Sequence, residues 1–449
     1  MKLKPVIRTT DNSEKEVSNA QMMNLLSIAG IPISELRSEN LNSLLVVPGG
    51  FDECNDNLGD QTILDTKGKN TIRTGNVLGF ISIGDTRLKI GSRFDAESAL
   101  SEDKDYFLQY MLEKVLSLNI VDLKFGFEDE SIYELLIYFF PIYLKRAFSQ
   151  GLYREYQTFR HNDSCVKGVI DFSRHIQKNM PFNGNVAYKT REHSTDNDVT
   201  QLIRHTIEYI ETREKVRNVL QCDAETKTAV SEIIASTPSY SKGKRSLIIS
   251  KNLRPTIHPY YSEYRALQKL CVMILQHEEV RYGNNPEEVY GLLIDGAWLW
   301  ENYLLVSILS KLHFEHADNI KKTNGKRVLE GKGLRLYPDF YLPGKIVLDA
   351  KYKFLEKVGN SGLRSVFKAD DIQQVMSYMD IMKMDTGGFI FPSIQIDSPV
   401  HCHSIVNRGG KMYGIGVEIP QNINTYEEFC IAMNKNEQKA LRKIVNIIN

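Results

Sequence analysis

The chain has 449 residues, 42% of them hydrophobic and 25% charged, with Lys+Arg and Asp+Glu both at 56 and a formal net charge of zero. That length exceeds one ordinary core and implies two or three domains of a soluble globular protein. A neutral chain has no overall positive field to draw it to nucleic acid, so any such contact must come from local patches.

Met1 to Glu16 is polar and lacks the apolar core of a signal peptide. Residues 1–100 read as β-rich. Asn42 to Pro48 is an apolar run closed by Gly49-Gly50, and the runs Val77–Ile83 and Thr86–Ile90 flank Gly84-Asp85, a hairpin signal. Residues 101–285 are mostly helical in pattern, with a strand-like interruption near Val166 to Phe172 and a polar loop over Ser236 to Arg245. Their most apolar stretch, Ile132 to Leu144, is broken by Glu134 and Pro141. It also falls short of the roughly 20 residues a membrane span needs. From 286 to 449 helix and strand signals alternate, as in an α/β domain. The expected fold class is therefore multidomain α+β, with a β-rich N-terminal domain, a helical middle and an α/β C-terminal domain. Cys54, Cys165, Cys222, Cys271, Cys402 and Cys430 form no C-x-x-C pair and read as reduced thiols of a cytoplasmic protein. No G-x-x-x-x-G-K-[ST] occurs, so the chain carries no nucleotide-binding P-loop.

The chemistry concentrates in the segment Leu336 to Lys351, where two strand-like runs flank the turn signal Pro343-Gly344. Alternation in the second run puts Val347, Asp349 and Lys351 on one face, and a turn centred on Gly344 sets Asp339 across from Asp349. Two carboxylates and an ammonium then share one patch of a sheet. Phosphodiester hydrolysis needs an activated water and a stabilised pentacovalent dianion. A hard divalent cation held by oxygens supplies both, and Mg²⁺ (or Mn²⁺) suits this donor set. Asp339 and Asp349 would hold the metal with the Ala350 carbonyl as a further ligand, and Lys351 would orient the attacking water or offset developing charge.

An acid-x-Lys triplet is cheap: Asp65-Thr-Lys67, Asp122-Leu-Lys124 and Glu225-Thr-Lys227 also occur, and an ordinary strand edge is the default. Two flanking helices change that balance. Upstream, Glu301 falls on the apolar stripe Trp298, Leu304, Leu305, Ile308 and Leu312 of a helix over Ala297 to Leu312. A buried carboxylate there costs several kcal/mol unless a metal or Lys351 meets it; the alternative is a rim position paired with a surface base. Downstream, Asp370-Asp371 can cap a helix with the stripe Ile372, Val375, Met376 and Met379. Gln374 and Tyr378, four apart on a flanking face, can reach the same site, although alone they read as a polar rim.

Lys321, Lys322, Lys326, Arg327, Lys332 and Arg335 lie just before the hairpin, opposed only by Glu330, and suit either phosphate contacts or a solvated loop. His401-Cys402-His403 offers at most two ligands on one strand face and has no partner cluster, which disfavours zinc.

The order of a helix with Glu301, a hairpin with Pro338-Asp339 and Asp349-Ala-Lys351, then a helix with Gln374-x-x-x-Tyr378 resembles the PD-(D/E)xK nuclease superfamily over about residues 290–395. More of the chain resembles the McrC family, the nuclease subunits of McrBC-type restriction systems, nearest its LlaJI-like branch. The segments that carry this are Thr74 to Phe94, Val166 to Ile210, and the runs WENYL, YPDFYL, LDAKYK and QQVMSY. The resemblance implies a domain at 1–100 that docks into a McrB-like, GTP-hydrolysing AAA+ ring, a middle segment over 101–285, and a PD-(D/E)xK domain at 286–449 that cleaves DNA in phage defence. Gly91-Ser92-Arg93 stands where such N-terminal units commonly carry a proline and a lysine. The competing class is a non-catalytic activator of a AAA+ motor.

Overall fold

A computed structural model describes residues 6–36, 44–47, 61–95, 105–116, 129–214, 216–254, 258–280, 289–317, 324–329, 333, 335–353, 368–395 and 400–449. These fall into two units, one made of Met1–Ile132 with Gly283–Asn449 and the other of Tyr133–Tyr282. The protein is of mixed α/β class, with several separate sheets.

The N-terminal region runs β1 (Val6–Thr10), β2 (Glu14–Glu16), α1 (Asn19–Leu25), α2 (Ile33–Leu36), β3 (Leu44–Val47), β4 (Leu64–Thr66), β5 (Thr71–Thr74), β6 (Val77–Ile83), β7 (Thr86–Gly91) and α3 (Tyr106–Leu116). The β6–β7 hairpin forms at Gly84-Asp85 as the sequence predicts, with Gly84 at φ +52°. The short helix α1 starts at Ser18, whose backbone N–H donates to Gln21 Oε1 at 3.0 Å, and it turns Met22 and Leu25 inward. Strands β2, β5 and β4 make a small antiparallel sheet beside the main one.

In the second unit the helices are α4 (Asp129–Ser149, which begins just before it), α5 (Phe172–Asn179), α6 (Asp198–Glu211), α7 (Ala224–Ser236), α8 (Arg245–Asn252) and α9 (Ser262–Val280). Among them β8 (Glu155–Asp163), β9 (Val169–Ile170) and β10 (Val186–Ser194) form a three-stranded sheet, with β8 and β10 paired over nine residues. The sequence predicts only an interruption near Val166 to Phe172. Strand β8 has no buried position, so no alternating apolar face marks it. Val169, Phe172, Ile176, Met180 and Phe182 stand exposed on this sheet and its helix.

The C-terminal region continues with β11 (Val289–Asp295), α10 (Gly296–Ser307), β12 (Glu315–His316), β13 (Lys326–Arg327), β14 (Arg335–Leu336), β15 (Phe340–Leu342), β16 (Ile346–Ala350), α11 (Ala369–Ile381), β17 (Thr386–Ser393), β18 (His401–Ser404), β19 (Lys411–Glu418) and α12 (Tyr426–Ile448). Its six-stranded sheet has the order β12-β15-β16-β17-β19-β18, with β16, β17 and β19 parallel. Parallel strands are covered on both faces, and Ile346, Val347, Leu348 and Asp349 are all buried. Helix α11 lays Val375, Tyr378 and Met379 against Val347, Phe389 and Phe391 on one face. Strand β11 does not join this sheet. It pairs antiparallel with β6 and parallel with β3, completing the order β1-β7-β6-β11-β3. The strand that opens residues 286–449 thus lies in the sheet of residues 1–100, and Leu293 packs among Ile72, Val77, Ile81 and Leu88.

Candidate active site

The hairpin that carries the site closes at Pro343-Gly344. Gly344 takes φ +71°, a region costly for residues with a Cβ, and the Lys345 N–H donates to the Leu342 carbonyl at 2.9 Å. Phe340 pairs with Leu348, so one further step of the antiparallel register sets Asp339 opposite Asp349, as expected. The Ala350 N–H donates to Asp339 Oδ2 at 2.7 Å and fixes that carboxylate to the neighbouring strand.

Asp349 is 1% exposed. Lys351 Nζ lies 2.7 Å from its Oδ2, a close ion pair. The same ammonium stands 3.3 Å from Asp371 Oδ1 and donates to Gln374 Oε1 at 3.3 Å. Gln374 Nε2 donates in turn to the Tyr378 hydroxyl at 2.7 Å. Gln374 and Tyr378 therefore reach the site rather than forming a detached rim. Asp371, which the sequence suggests only as a cap, accepts the Lys368 N–H at 3.0 Å and pairs with Lys353 as well as Lys351. Its spacing of three residues from Gln374 is the signal that could have placed it there.

Glu301 reaches the site from α10, but not on the expected stripe. The helix ends at Ser307, and its buried face is Leu299, Trp300, Tyr303, Leu304 and Ser307. The Glu301 side chain is 28% exposed, and His316 Nδ1 lies 3.6 Å from its Oε1 and 2.7 Å from the Asp339 carbonyl oxygen. No sequence pattern singles out His316.

The charges are mutually strained. Burial, then Asp349 and Glu301, push the Asp339 carboxyl well above its usual range, against the Ala350 N–H and Lys351. Burial likewise raises Asp349, with Lys351 opposing. Burial alone would lower Lys351, but Asp349, Asp371 and Asp339 outweigh it and raise its pKa. Burial also works to raise Asp371, and there Lys353 and Lys351 prevail and lower it. In the present arrangement the positive charge beside Asp349 is thus the Lys351 ammonium. As they stand, no three His, Cys, Asp or Glu side chains among the described residues are gathered closely enough to hold an ion. The donor types nonetheless suit a hard divalent cation. The Asp339, Asp349 and Glu301 carboxylates and the Ala350 carbonyl are all oxygens, and the buried Asp349 and half-buried Asp339 repel each other.

Of the basic run, Lys321, Lys322 and Lys332 lie outside the described residues. Lys326-Arg327 and Arg335 form the β13–β14 ribbon, with Arg327 across from Arg335 and Lys326 Nζ 4.1 Å from the Tyr341 ring centroid. His401, Cys402 and His403 sit on β18 at the sheet edge. Among the described residues no helix is long and apolar enough to cross a membrane.

The family model described as "McrBC 5-methylcytosine restriction system component" matches residues 72–392. No curated protein matches the chain. Among solved structures the chain is similar to one described as a refined half-complex from the tetradecameric assembly of Thermococcus gammatolerans McrB AAA+ hexamers with bound McrC. That match has a TM-score of 0.47 and 15% identity, covering 97% of this chain and 99% of that one. The cryo-EM structure of the Thermococcus gammatolerans McrBC complex matches with a TM-score of 0.31 and 14% identity, over 69% and 88%.

Proposed function

The chain belongs to the family of McrBC 5-methylcytosine restriction system components, and from that premise we propose that it is the subunit that cleaves DNA. The observation that carries this is the meeting of Asp339, Asp349 and Lys351 on one hairpin with Glu301 and Gln374 brought in by separate helices. That is the element order of a PD-(D/E)xK nuclease. Asp339, Asp349, Glu301 and the Ala350 carbonyl would hold Mg²⁺ or Mn²⁺. When bound, the ion supplies positive charge for the developing dianion and lowers the pKa of a coordinated water.

Residues of the chain account for the rest. Lys351 is held by Asp349, Asp371 and Gln374, so its ammonium points from a fixed place toward the site rather than sweeping through solvent. There it would orient the attacking water and stabilise charge on the phosphoryl oxygens. The bases of the β13–β14 ribbon would hold the DNA backbone by phosphate contacts.

Since no P-loop is present in the sequence, nucleotide-driven work would fall to a partner. We read that partner as a McrB-like AAA+ ring that hydrolyses GTP and brings DNA to this subunit, with residues 1–100 as the docking region. The test is a nicking assay of the purified chain with its AAA+ partner. Cleavage should require Mg²⁺ or Mn²⁺, stop with a chelator and vanish in Asp349→Asn, while that variant still stimulates the partner's GTPase. Full cleavage by Asp349→Asn, or cleavage that survives exhaustive chelation, refutes the reading. GTPase stimulation without any cleavage by the intact chain would favour the non-catalytic activator.

A further inference from the structure

Tyr352 directly follows Lys351, yet its side chain packs on a different sheet. It is buried, and its hydroxyl shares a 2.9 Å hydrogen bond with Ser92 Oγ, just past the end of β7. Its ring meets Phe94 edge-on at 5.0 Å and 67°, and the Arg93 guanidinium lies 5.3 Å from its centroid. Arg93 is itself pinned. Its Nε donates to Asp11 Oδ2 at 2.7 Å, its backbone N–H to Asp11 Oδ1 at 2.8 Å, and its Nη2 to Asn76 Oδ1 at 2.7 Å.

The second arm of the site rests on the same place. The N–H of Gly296, first residue of α10, donates to the Asn76 carbonyl at 3.3 Å. A Cβ on Gly296 would come within 2.8 Å of the Tyr352 ring, so only glycine lets the helix start against it. Asp295, the last residue of β11, caps α10 by accepting the Ala297 N–H at 2.8 Å. Lys351 is therefore one residue from this junction, and Glu301 little more than one helical turn from it.

We propose that Tyr352, held by Ser92 and Arg93, is a positioning residue through which the N-terminal sheet sets the placement of Lys351 relative to Glu301. It does not touch the reacting atoms. It fixes the end of β16, where the Lys351 N–H donates to the Ile390 carbonyl at 3.0 Å. Any event that shifts β7 or the Asn76 turn is thereby transmitted to the site through two short, stiff connections. This inference rests on the catalytic reading of the site.

Tyr352→Phe keeps the ring packing and deletes the hydroxyl, while Ser92 Oγ retains the Phe94 N–H at 3.2 Å. Ser92→Ala deletes the other half of the link. Hydrogen exchange on the full chain, read on a peptide covering residues 346–352, should accelerate roughly threefold or more in both variants with the β17 and β19 peptides unchanged. In the complex, kcat for DNA cleavage should fall about tenfold with KM nearly constant, the mark of misplacement rather than lost binding. The double variant should be no worse than either single one. Unchanged exchange and kcat in both variants overturn the proposal, as does acceleration spread evenly over all the strands. Local acceleration together with Asp349→Asn cleaving like the wild type would support the link and sink the nuclease reading instead.

Discussion

Replacing Asp339 with Asn should make the protein more stable and inactive at once. Asp339 is half-buried, faces Asp349 and feels Glu301, and desolvation of its carboxyl together with those two charges raises its pKa. Asn keeps the acceptor that the Ala350 N–H needs at 2.7 Å and removes one of the repelling charges. A gain of about 1–2 kcal/mol at pH 7 follows, in the range of other substitutions that relieve functional strain. For a unit this size that is about 2–4 °C in Tm. The pH dependence has a definite sign. Between the ordinary carboxyl value of 3.8 and the raised one, the folded chain binds the proton more tightly than the unfolded chain. Stability therefore falls as pH rises through that window. The wild type and the variant should converge in Tm as pH drops toward the ordinary value and separate above it. Mg²⁺ should reverse the order: at a hundred times its Kd it stabilises the wild type by on the order of 2.7 kcal/mol, and the variant far less. Thermal melts at pH 5 and pH 7, with and without Mg²⁺, are the assay. An Asp339→Asn chain that melts below the wild type at pH 7 without metal would refute the reasoning.

Lys351→Ala should cost stability as well as activity, roughly 3 kcal/mol, because it strips the nearest cation from a buried Asp349; adding Asp349→Asn should restore part of that loss, and denaturant melts that show none would place the pair's energy elsewhere. Docking can be tested without truncation, which would leave β11 without its β6 and β3 partners. If residues 1–100 dock, Met23→Glu with Leu26→Glu, on exposed apolar positions at α1, should abolish stimulation of the partner's GTPase. Phe172→Glu with Ile176→Glu should then leave stimulation intact; the opposite result moves docking to residues 133–282.

What the sequence made legible was local. A Pro-Gly turn with period-two alternation fixes the register of Asp339 against Asp349, because one residue of slip would turn every side chain to the other face. The Gly84-Asp85 turn does the same for β6 and β7. What it hid was long-range or lacked a period. The core strands of β11 read like any buried strand, and nothing local says that its neighbours lie some 200 residues upstream. Helix α10 is apolar nearly all round, from Trp298 through Val306, so no stripe identifies the buried face, and the expected one was rotated. Strand β8 fails in the opposite way, with no buried position to report it. Asp371 was masked by its second role, since a residue that caps a helix already has an explanation.

The charge balance of the site bears on why such a nuclease would depend on a partner. With all groups ionised, Asp339, Asp349, Glu301 and Asp371 bring four negative charges and Lys351 and Lys353 two positive ones, leaving two negative. A divalent cation would cancel that difference, which matches the oxygen donor set. Without the ion, the same excess repels a phosphodiester, and the chain's zero net charge supplies no long-range attraction to offset it. Among the described residues of the basic run, Lys326, Arg327 and Arg335 of the β13–β14 ribbon are the ones proposed to hold a backbone. On the proposed reading, DNA therefore has to be delivered, by a ring that grips and moves it, before the local bases and the metal can act. A chain with this charge distribution should cleave poorly alone even at high Mg²⁺, and the rate should rise with delivery rather than with metal once the ion is saturating. Efficient cleavage of free DNA by the isolated chain at physiological salt would contradict that division of labour.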